Sequence, residues 1–315
     1  ILPSRIRMVF NLFSSMKIFL ISFGAVFAAG AASFATLFFS SAFFPYTEIV
    51  DTNLDRQVSI LKEERKTKED RIKNALERSA RIKALYMTAD VASDRGAGAA
   101  RLRNTLIALA ERTEINGFVI DVKEVCGTDL DDEMIRNLLA ELHEKNMWAI
   151  ARIVVMKDAS QINAHPEWYL AHKSPKAVGD ECFRKRHLRI AHPEGKKPEI
   201  NFWQDKRGGY WVDPASSGAR EYIVDFSKRI IDFGFDELQY DYIRFPSDGD
   251  VENAVYPSWD GVTPKFLVMK GFFEYLNRAL KEYKPEIILS TDLFGYAAIL
   301  AGDVGIGQRL EDIGD

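Results

Sequence analysis

Three aspartates lie at the ends of apolar segments that otherwise have the composition of buried strands. Asp121 ends the segment GFVID, Asp241 interrupts GFDELQYDYIRFP, and Asp292 ends ILSTD. Carboxyl groups in opposed environments can divide the roles of acid and base, and hydrolysis of a glycosidic bond requires such a pair. We therefore predict catalytic side chains at Asp241, Asp292 and Asp121. The alternative for each is one half of a structural salt bridge.

Basic and aromatic residues accompany these acids in the sequence. Basic side chains near the acids could orient them or bind sugar hydroxyls, and flat indole faces pack well on carbohydrate. The predicted substrate-binding residues are Lys123, Arg152, Arg244, Trp203, Trp211 and Tyr240. The two tryptophans lie in a long irregular stretch over 157–217, so they could instead serve to pin that loop in place.

The elements that would position these residues alternate between strand and helix. Strand patterns cover 82–87, 117–123, 148–156, the segment that contains Asp241, and 287–293. Helical patterns cover about 99–112, 131–145, 218–233 and 263–283, and another helix could begin over 300–310. This alternation predicts an α/β fold with a parallel sheet.

The choice within this class is between a doubly wound sheet and a (β/α)8 TIM barrel. No G-x-G-x-x-G motif follows the first strand, and the acids fall at strand C-termini, as in barrel enzymes. We favour the barrel. About five strands are visible over 82–315, so we expect the barrel to be incomplete and truncated at the C-terminus of this chain.

The N-terminal region has a different composition. Arg5, Arg7 and Lys17 precede an uncharged run, Ile18–Phe44, that is long enough to cross a bilayer. We predict a short basic cytoplasmic segment over 1–17, a transmembrane signal anchor over 18–44 and a charged helical stalk over 45–81. The barrel would then lie outside the cytoplasm, in the cell envelope. A cleaved signal peptide is the alternative.

Several classes of partner and cofactor are not indicated. The net charge of −4 does not suggest nucleic acid. The five histidines form no metal-binding motif, so we expect no metal and no cofactor. Cys126 and Cys182 could pair in an extracytoplasmic domain, but spacing alone does not bring two thiols together.

Five motifs carry a resemblance to a known family. GFVIDVKE, ARIVVMKD, GYWVDPAS, GFDELQYDYIRFPSDG and LSTDLFGY, spread over 83–315, resemble a glycosyl-hydrolase family once filed as a domain of unknown function. That family is distantly similar to α-amylase-like and α-galactosidase-like enzymes. The resemblance implies a (β/α)8 barrel, Asp241 as nucleophile or key carboxylate, and an acid/base from a later strand that maps onto Asp292.

Together these features predict a membrane-anchored extracytoplasmic glycoside hydrolase that acts on a polysaccharide or oligosaccharide. The membrane would be contacted through the N-terminal helix. One alternative is a non-catalytic glycan-binding or envelope-scaffold protein on the same barrel, because fold does not fix function. A weaker alternative is a metal-dependent hydrolase that uses the same acids.

Overall fold

A computed structural model describes residues 32–128, 130–174, 182, 201–300 and 302–313, with side chains described at residue 54 and, within these ranges, from residue 56 onwards. The chain divides into two compact units, Ile1–Thr67 and Lys68–Asp315. The second unit contains every strand of the described residues. It begins before the predicted domain boundary at residue 82, because the end of a long helix packs on the sheet: Ala75 contacts the cluster of Trp148, Ile150 and Ile288.

The first unit and the start of the second share helix α1, Ala32–Ser79. The predicted stalk lies within this helix as far as Ser79. No helix among the described residues combines the length and the apolar character that crossing a bilayer requires. The predicted cytoplasmic segment and residues 18–31 of the predicted anchor lie outside the described residues.

The main sheet of the second unit has five parallel strands. They are β1 (Ala84–Met87), β2 (Gly117–Lys123), β3 (Trp148–Val154), β5 (Glu237–Asp241) and β7 (Ile288–Thr291), in the order β1-β2-β3-β5-β7. The two short strands β4 (Ala171–His172) and β6 (Ala254–Val255) form a separate antiparallel pair. The predicted parallel α/β fold is confirmed. The strand order never reverses, unlike that of a doubly wound sheet, and is the order that a barrel requires.

Helices follow the strands, and all but the short first one, Ala89–Ser93, were predicted by the sequence patterns. They are α2 (Ala89–Ser93), α3 (Ala97–Ala110), α4 (Asp132–Glu144), α5 (Ser217–Phe233) and α6 (Lys265–Tyr283). Helix α4 begins with the Asp131 carboxylate accepting from the Met134 amide, and Asn146 follows its end with a positive φ of 58°. Helix α6 has Pro264 at its cap position, and the Thr263 hydroxyl before it donates to Asp260.

The helix predicted over 300–310 is wrong. The described residues of this stretch contain bends and a 3-10 turn that starts only at its end, Leu310–Asp312. Asp303 accepts from the amides of Gly305, Ile306 and Gly307, so a polar side chain satisfies this backbone in place of helical hydrogen bonds. Glycines with positive φ at 302, 305 and 307 also disfavour a helix here.

The two faces of the main sheet differ in chemistry. Alternate residues of each strand, such as Phe118 and Ile120 of β2, pack into the large core beneath the helices. The opposite face carries a polar row at the same register, in which Asp121 pairs with Arg152, and Arg152 pairs with Gln239. Because side chains alternate along a strand, the register itself gathers these polar groups on one face.

Cys126 and Cys182 form a disulfide with a Cα–Cα distance of 5.5 Å. The bond joins the loop after β2 to the long segment after β3. The two cysteines therefore pair, which their spacing in the sequence could not decide. It also ties down two of the loops that follow the strand C-termini.

We expect the paired substitutions Cys126→Ser and Cys182→Ser to lower the free energy of unfolding by about 2–4 kcal/mol. The reason is that the bond closes a long loop, with a sequence separation of 56, and so restricts the unfolded chain. Urea unfolding without reductant measures the difference. Wild type treated with reductant should match the variant, whereas an unchanged unfolding midpoint would contradict a stabilising disulfide.

Candidate active site

The three predicted acids lie at the same edge of the sheet, the edge formed by the strand C-termini. Asp121 lies in β2, Asp241 ends β5, and Asp292 directly follows β7. The Asp292 amide donates to the Tyr240 carbonyl oxygen at 2.9 Å, so the two strands remain in register up to these residues. The parallel sheet therefore brings three sequence-distant carboxyl groups to one rim.

Arg152 joins two of these acids. Its Nη1 donates to Asp121 Oδ1 at 2.6 Å, and its Nη2 donates to Asp241 Oδ2. Burial alone would lower the pKa of Arg152, but the two carboxylates outweigh that effect and raise it. Its guanidinium is therefore a fixed cation that holds the ends of β2 and β5 together through β3.

Asp121 is the innermost of the three acids, with only 1% of its surface exposed. Its second oxygen accepts the hydroxyl of Tyr86, whose pKa is raised by burial and then by this carboxylate. Arg152 and Tyr86 together engage both carboxylate oxygens. This position does not favour the predicted contact between Asp121 and a substrate, because a carboxylate with two partners and almost no exposed surface is a structural anchor.

Asp241 is more accessible, since 21% of its side chain is exposed. Its Oδ1 accepts from the amide of Tyr242 at 2.6 Å. Tyr242 has a φ of 52°, in the left-handed region that a tyrosine seldom adopts. Such backbone strain persists only where the surroundings impose it, and it occurs often at functional sites. Here it turns the chain immediately after the acid.

Asp292 has a different environment from Asp241. Its Oδ1 accepts from Gln239 Nε2 at 2.8 Å, and no arginine or lysine forms a salt bridge with it among the described residues. Burial raises the pKa of Asp292, and the nearby charge of Asp241 adds to the increase. Gln239 and Arg152 act in the opposite direction without cancelling it. The rim thus combines two acids that form salt bridges with Arg152 and one, Asp292, that forms none within the described part of the chain and has a raised pKa.

Two glutamines that the sequence analysis missed support this pair. Gln239 lies two residues before Asp241, so strand alternation could have placed it on the same face. Gln308 is buried and links the two strand ends: its Nε2 donates to the carbonyl oxygens of Asp292 and Ile243 at 3.2 and 3.4 Å. No sequence pattern signals Gln308, because a non-helical loop brings it to the site.

Exposed aromatic rings near the acids were also missed. Tyr86 contacts Asp121 through its hydroxyl while its ring is largely exposed. Phe294 and Tyr296, directly after Asp292, expose 39% and 63% of their surfaces. Their place in LSTDLFGY, next to a candidate acid, was an available signal. Exposed rings beside carboxyl groups are suited to stacking on a sugar ring.

The substrate-binding role predicted for four residues needs correction, because their side chains are buried and make contacts within the protein. Lys123 has no exposed surface and pairs with Asp158 at 2.7 Å. Tyr240 lies on the helix side of the sheet, where its hydroxyl is 2.9 Å from that of Ser227. Neither side chain is placed to reach a substrate at the rim.

Trp203 and Trp211 are the other two, and both act as loop anchors. The indole of Trp203 donates to the Asp250 carbonyl oxygen at 2.7 Å, and that of Trp211 donates to Asp205 at 3.1 Å. Lys157 also binds Asp205, at 2.9 Å. Burial would raise the pKa of Asp205, but the Gly209 amide, Trp211 and Lys157 together hold it below its usual range.

Arg152 and Arg244 are the two predicted binding residues that lie near the acids. Arg152 is already engaged by two carboxylates, whereas Arg244 lies against the rings of Trp211, Tyr242 and Phe294. No group of three or more His, Cys, Asp or Glu side chains suited to a metal ion occurs in the part of the chain that the structure describes.

Comparisons with known proteins point to one family. A family model described as "putative glycosyl hydrolase domain" matches residues 84–315. No curated protein matches the chain significantly. One similar solved structure is a hypothetical protein from Ruminiclostridium thermocellum ATCC 27405, with 24% identity, coverage of 67% of this chain and 98% of that one, and a TM-score of 0.49.

Two further solved structures are more distant. A Nostoc punctiforme debranching enzyme has 13% identity and a TM-score of 0.41, with 62% of this chain and 38% of that one covered. A Lactobacillus brevis α-galactosidase has 14% identity and a TM-score of 0.39, with 67% of this chain and 27% of that one covered. The chain therefore spans well under half the length of either enzyme.

Replacement of Arg152 by Met should destabilise the protein by about 3–5 kcal/mol. The substitution leaves Asp121 buried without its cation and Asp241 without its salt bridge. Urea unfolding measures the loss, and Arg101→Met on the exposed surface of α3 is the matched control with little expected effect. If both variants unfold at the same urea concentration, Arg152 does not hold the strand ends together.

Replacement of Asp292 by Asn should change how stability depends on pH. The folded pKa of Asp292 is raised, so its charged form costs stability, and this cost appears as the pH rises from about 4, the usual Asp pKa, through the folded value. The neutral amide of the Asp292→Asn variant removes the cost. Urea unfolding at pH 4 and pH 7 should show the variant gaining relative to wild type at pH 7. An equal difference at both pH values would contradict the raised pKa.

Proposed function

This chain belongs to the putative glycosyl hydrolase domain family, and we propose that it cleaves glycosidic bonds with Asp241 and Asp292 as its paired carboxyl groups. One observation carries the proposal: neighbouring acids on adjacent strands have opposed surroundings. Asp241 faces the Arg152 guanidinium, whereas Asp292 is half-buried beside an amide and has a raised pKa. Glycosidases need this division between an ionised and a protonated carboxyl group.

The roles follow from these surroundings. Asp292, whose pKa is raised, would be the acid that donates a proton to the oxygen of the leaving sugar. Asp241, oriented by Arg152 and by the Tyr242 amide, would act as nucleophile or as the base that activates water. Asp121 would act through Arg152 as a positioning residue. Phe294 and Tyr296 would offer ring faces to the sugar.

The proposal includes a place outside the cytoplasm. The Cys126–Cys182 disulfide supports it, because such bonds persist in oxidising compartments. The apolar run over 18–44, with basic residues before it, supports an anchor in the membrane with the N-terminus inside. The substrate would then be a polysaccharide or oligosaccharide of the cell envelope, and the fold a (β/α)8 barrel to which these five strands belong.

A second candidate, glycan binding without catalysis, is favoured by the two contacts of Asp241. Both oxygens of Asp241 already have partners inside the protein, Arg152 and the Tyr242 amide. A carboxylate engaged in this way could serve to fix the strand ends instead of reacting with a substrate. The exposed rings near the rim would then be the functional surface.

The substitutions Asp241→Asn and Asp292→Asn should each reduce turnover by about 100-fold or more, because acid–base catalysis contributes on that scale. The assay measures new reducing ends and product anomers by NMR over a panel of envelope and storage glycans. Asp225→Asn, on the exposed surface of α5, is the control with unchanged turnover.

Unfolding midpoints for all three variants would exclude a loss of folding as the cause. Wild-type turnover that survives Asp241→Asn would contradict the assignment of Asp241. Binding of a glycan by a wild-type protein that releases no product would instead support the second candidate.

A further inference from the structure

Arg244 occupies a site built from three separate parts of the chain. Its guanidinium carbon lies 5.1 Å from the centroid of Trp211, 5.2 Å from Tyr242 and 4.8 Å from Phe294. Trp211 comes from the loop after β4, Tyr242 from the end of β5 and Phe294 from the segment after β7. We call these three rings and Arg244 the arginine cage. Its walls fix the direction of a side chain that would otherwise be free to rotate.

The guanidinium in the arginine cage has spare hydrogen-bonding capacity. An arginine carries five N–H donors, and Arg244 uses Nη1 on the Phe245 carbonyl oxygen at 3.0 Å. No carboxylate of the described residues lies within salt-bridge distance of it. The other cations close to the rim, Arg152 and Lys157, each have an acidic partner. Arg244 is therefore a desolvated cation whose partner is not supplied by this part of the chain.

Two other arginines, the buried Arg103 and the partly buried Arg220, have carbonyl oxygens of the protein as partners. Arg220 donates to the carbonyl oxygens of Pro214 and Val268 at 2.8 and 2.9 Å, and Arg103 donates to three carbonyl oxygens. Neither lies at the rim. Arg244 is about as buried as Arg103, with 9% of its surface exposed against 8%, yet it makes fewer hydrogen bonds.

The free nitrogens of Arg244 are not sealed inside the protein. Among the described residues, Gln239 Oε1 is fully buried without a hydrogen-bond partner, and no nitrogen of Arg244 is in this state. The unpaired nitrogens of Arg244 therefore keep contact with solvent. Burial lowers the pKa of Arg244, and Tyr242 and the carboxylates of Asp241, Asp248 and Asp205 act in the opposite direction without cancelling this effect. The guanidinium is therefore partly desolvated and within electrostatic reach of the candidate acid.

The cage also shares its walls with the candidate acids. Tyr242 directly follows Asp241, and Phe294 lies two residues after Asp292. A sugar placed between the two acids would thus lie beside the arginine cage. Without Arg244, the acids at this rim would repel a negatively charged sugar.

We propose that Arg244 binds an oxyanion carried by the substrate, so that the protein selects acidic sugars over neutral ones. This inference rests on the proposed function and adds a substrate class to it. A guanidinium binds carboxylate, sulfate and phosphate groups through paired N–H donors, and the cage holds that fork in one orientation. A uronic acid carries a carboxylate, whereas sulfated or phosphorylated sugars carry their negative charge as an ester.

Binding of oligosaccharides to the full chain tests this proposal without any need for turnover. Calorimetric titration would compare neutral, uronic acid and sulfated oligosaccharides of equal length, at low and high salt. We expect wild type to bind one acidic series at least about 10-fold more tightly than the neutral series, with a preference that falls as salt rises. Tighter binding of the uronic acid series would indicate a carboxylate as the bound group, and tighter binding of the sulfated series would indicate a sulfate ester.

Substitution at Arg244 gives the decisive comparison. Arg244→Gln should remove the preference for the acidic series. Arg244→Lys should keep only part of that preference, because a lysine cannot form the paired contact. Arg220→Gln is the control for loss of a partly buried arginine and should keep the preference. If Arg244→Gln does not fold, the comparison of Arg244→Lys with wild type still decides.

Two outcomes separate this proposal from the proposed function. Equal binding of acidic and neutral sugars by wild type, or a preference that survives Arg244→Gln, would overturn the role of Arg244 while leaving hydrolysis of neutral glycans possible. A preference that depends on Arg244 in a protein without turnover would support the acidic-sugar site and contradict the hydrolysis.

Discussion

The Arg152 guanidinium is the constraint on which the rim of the sheet depends. It lies between Asp121, which is buried, and Asp241, which is partly exposed. A buried carboxylate without a partner is costly, so the position of Asp121 requires a cation from the neighbouring strand. Arg152 meets this requirement with one nitrogen and orients Asp241 with the other. The register of β2, β3 and β5 is thereby tied to the geometry of the site, because a slip by one residue would turn Arg152 into the apolar core.

The loops beyond the strands are held by a second group of buried polar contacts. Asp213 accepts from the amides of Ser258 and Trp259 at 2.7 and 2.9 Å, and so joins the segment before α5 to the segment before α6. The pairs Lys123–Asp158 and Lys157–Asp205 fix the chain after β3. These buried contacts engage side chains whose residue types suggested sugar binding. The exposed rings after Asp292 are left as the surface that can meet a ligand.

The sequence predicted the sheet and the convergence of the acids because both follow from local pattern. An apolar segment that ends in Asp indicates a strand C-terminus, and parallel strands bring such ends together. Strand alternation could also have excluded Tyr240, since a residue adjacent to Asp241 must face the opposite side. The position of Lys123 could not be derived in this way. It lies two residues after Asp121, but the pairing of β2 with β3 shifts between these residues, and Lys123 pairs with Asp158 inside the protein.

The contacts of Trp203, Trp211 and Gln308 were beyond sequence reasoning for another reason. Each depends on how a loop without regular structure folds over the sheet, and residue type alone gives no partner for it. Trp211 shows the consequence. Its indole N–H anchors the loop to Asp205, while its ring face forms a wall of the arginine cage. A side chain that looks like a binding residue in the sequence thus acts on the site indirectly.

The difference between Asp241 and Asp292 arises from their neighbours on the sheet. Both acids follow apolar strands, and their strands are adjacent. Asp241 meets an arginine that is shared with Asp121, whereas Asp292 meets Gln239, which donates one hydrogen bond and carries no charge. Because one cation cannot neutralise three carboxylates, the acid without a salt bridge to it has most to gain from a proton. The polar row of the sheet therefore creates the asymmetry that acid–base chemistry requires, with a single arginine as its source.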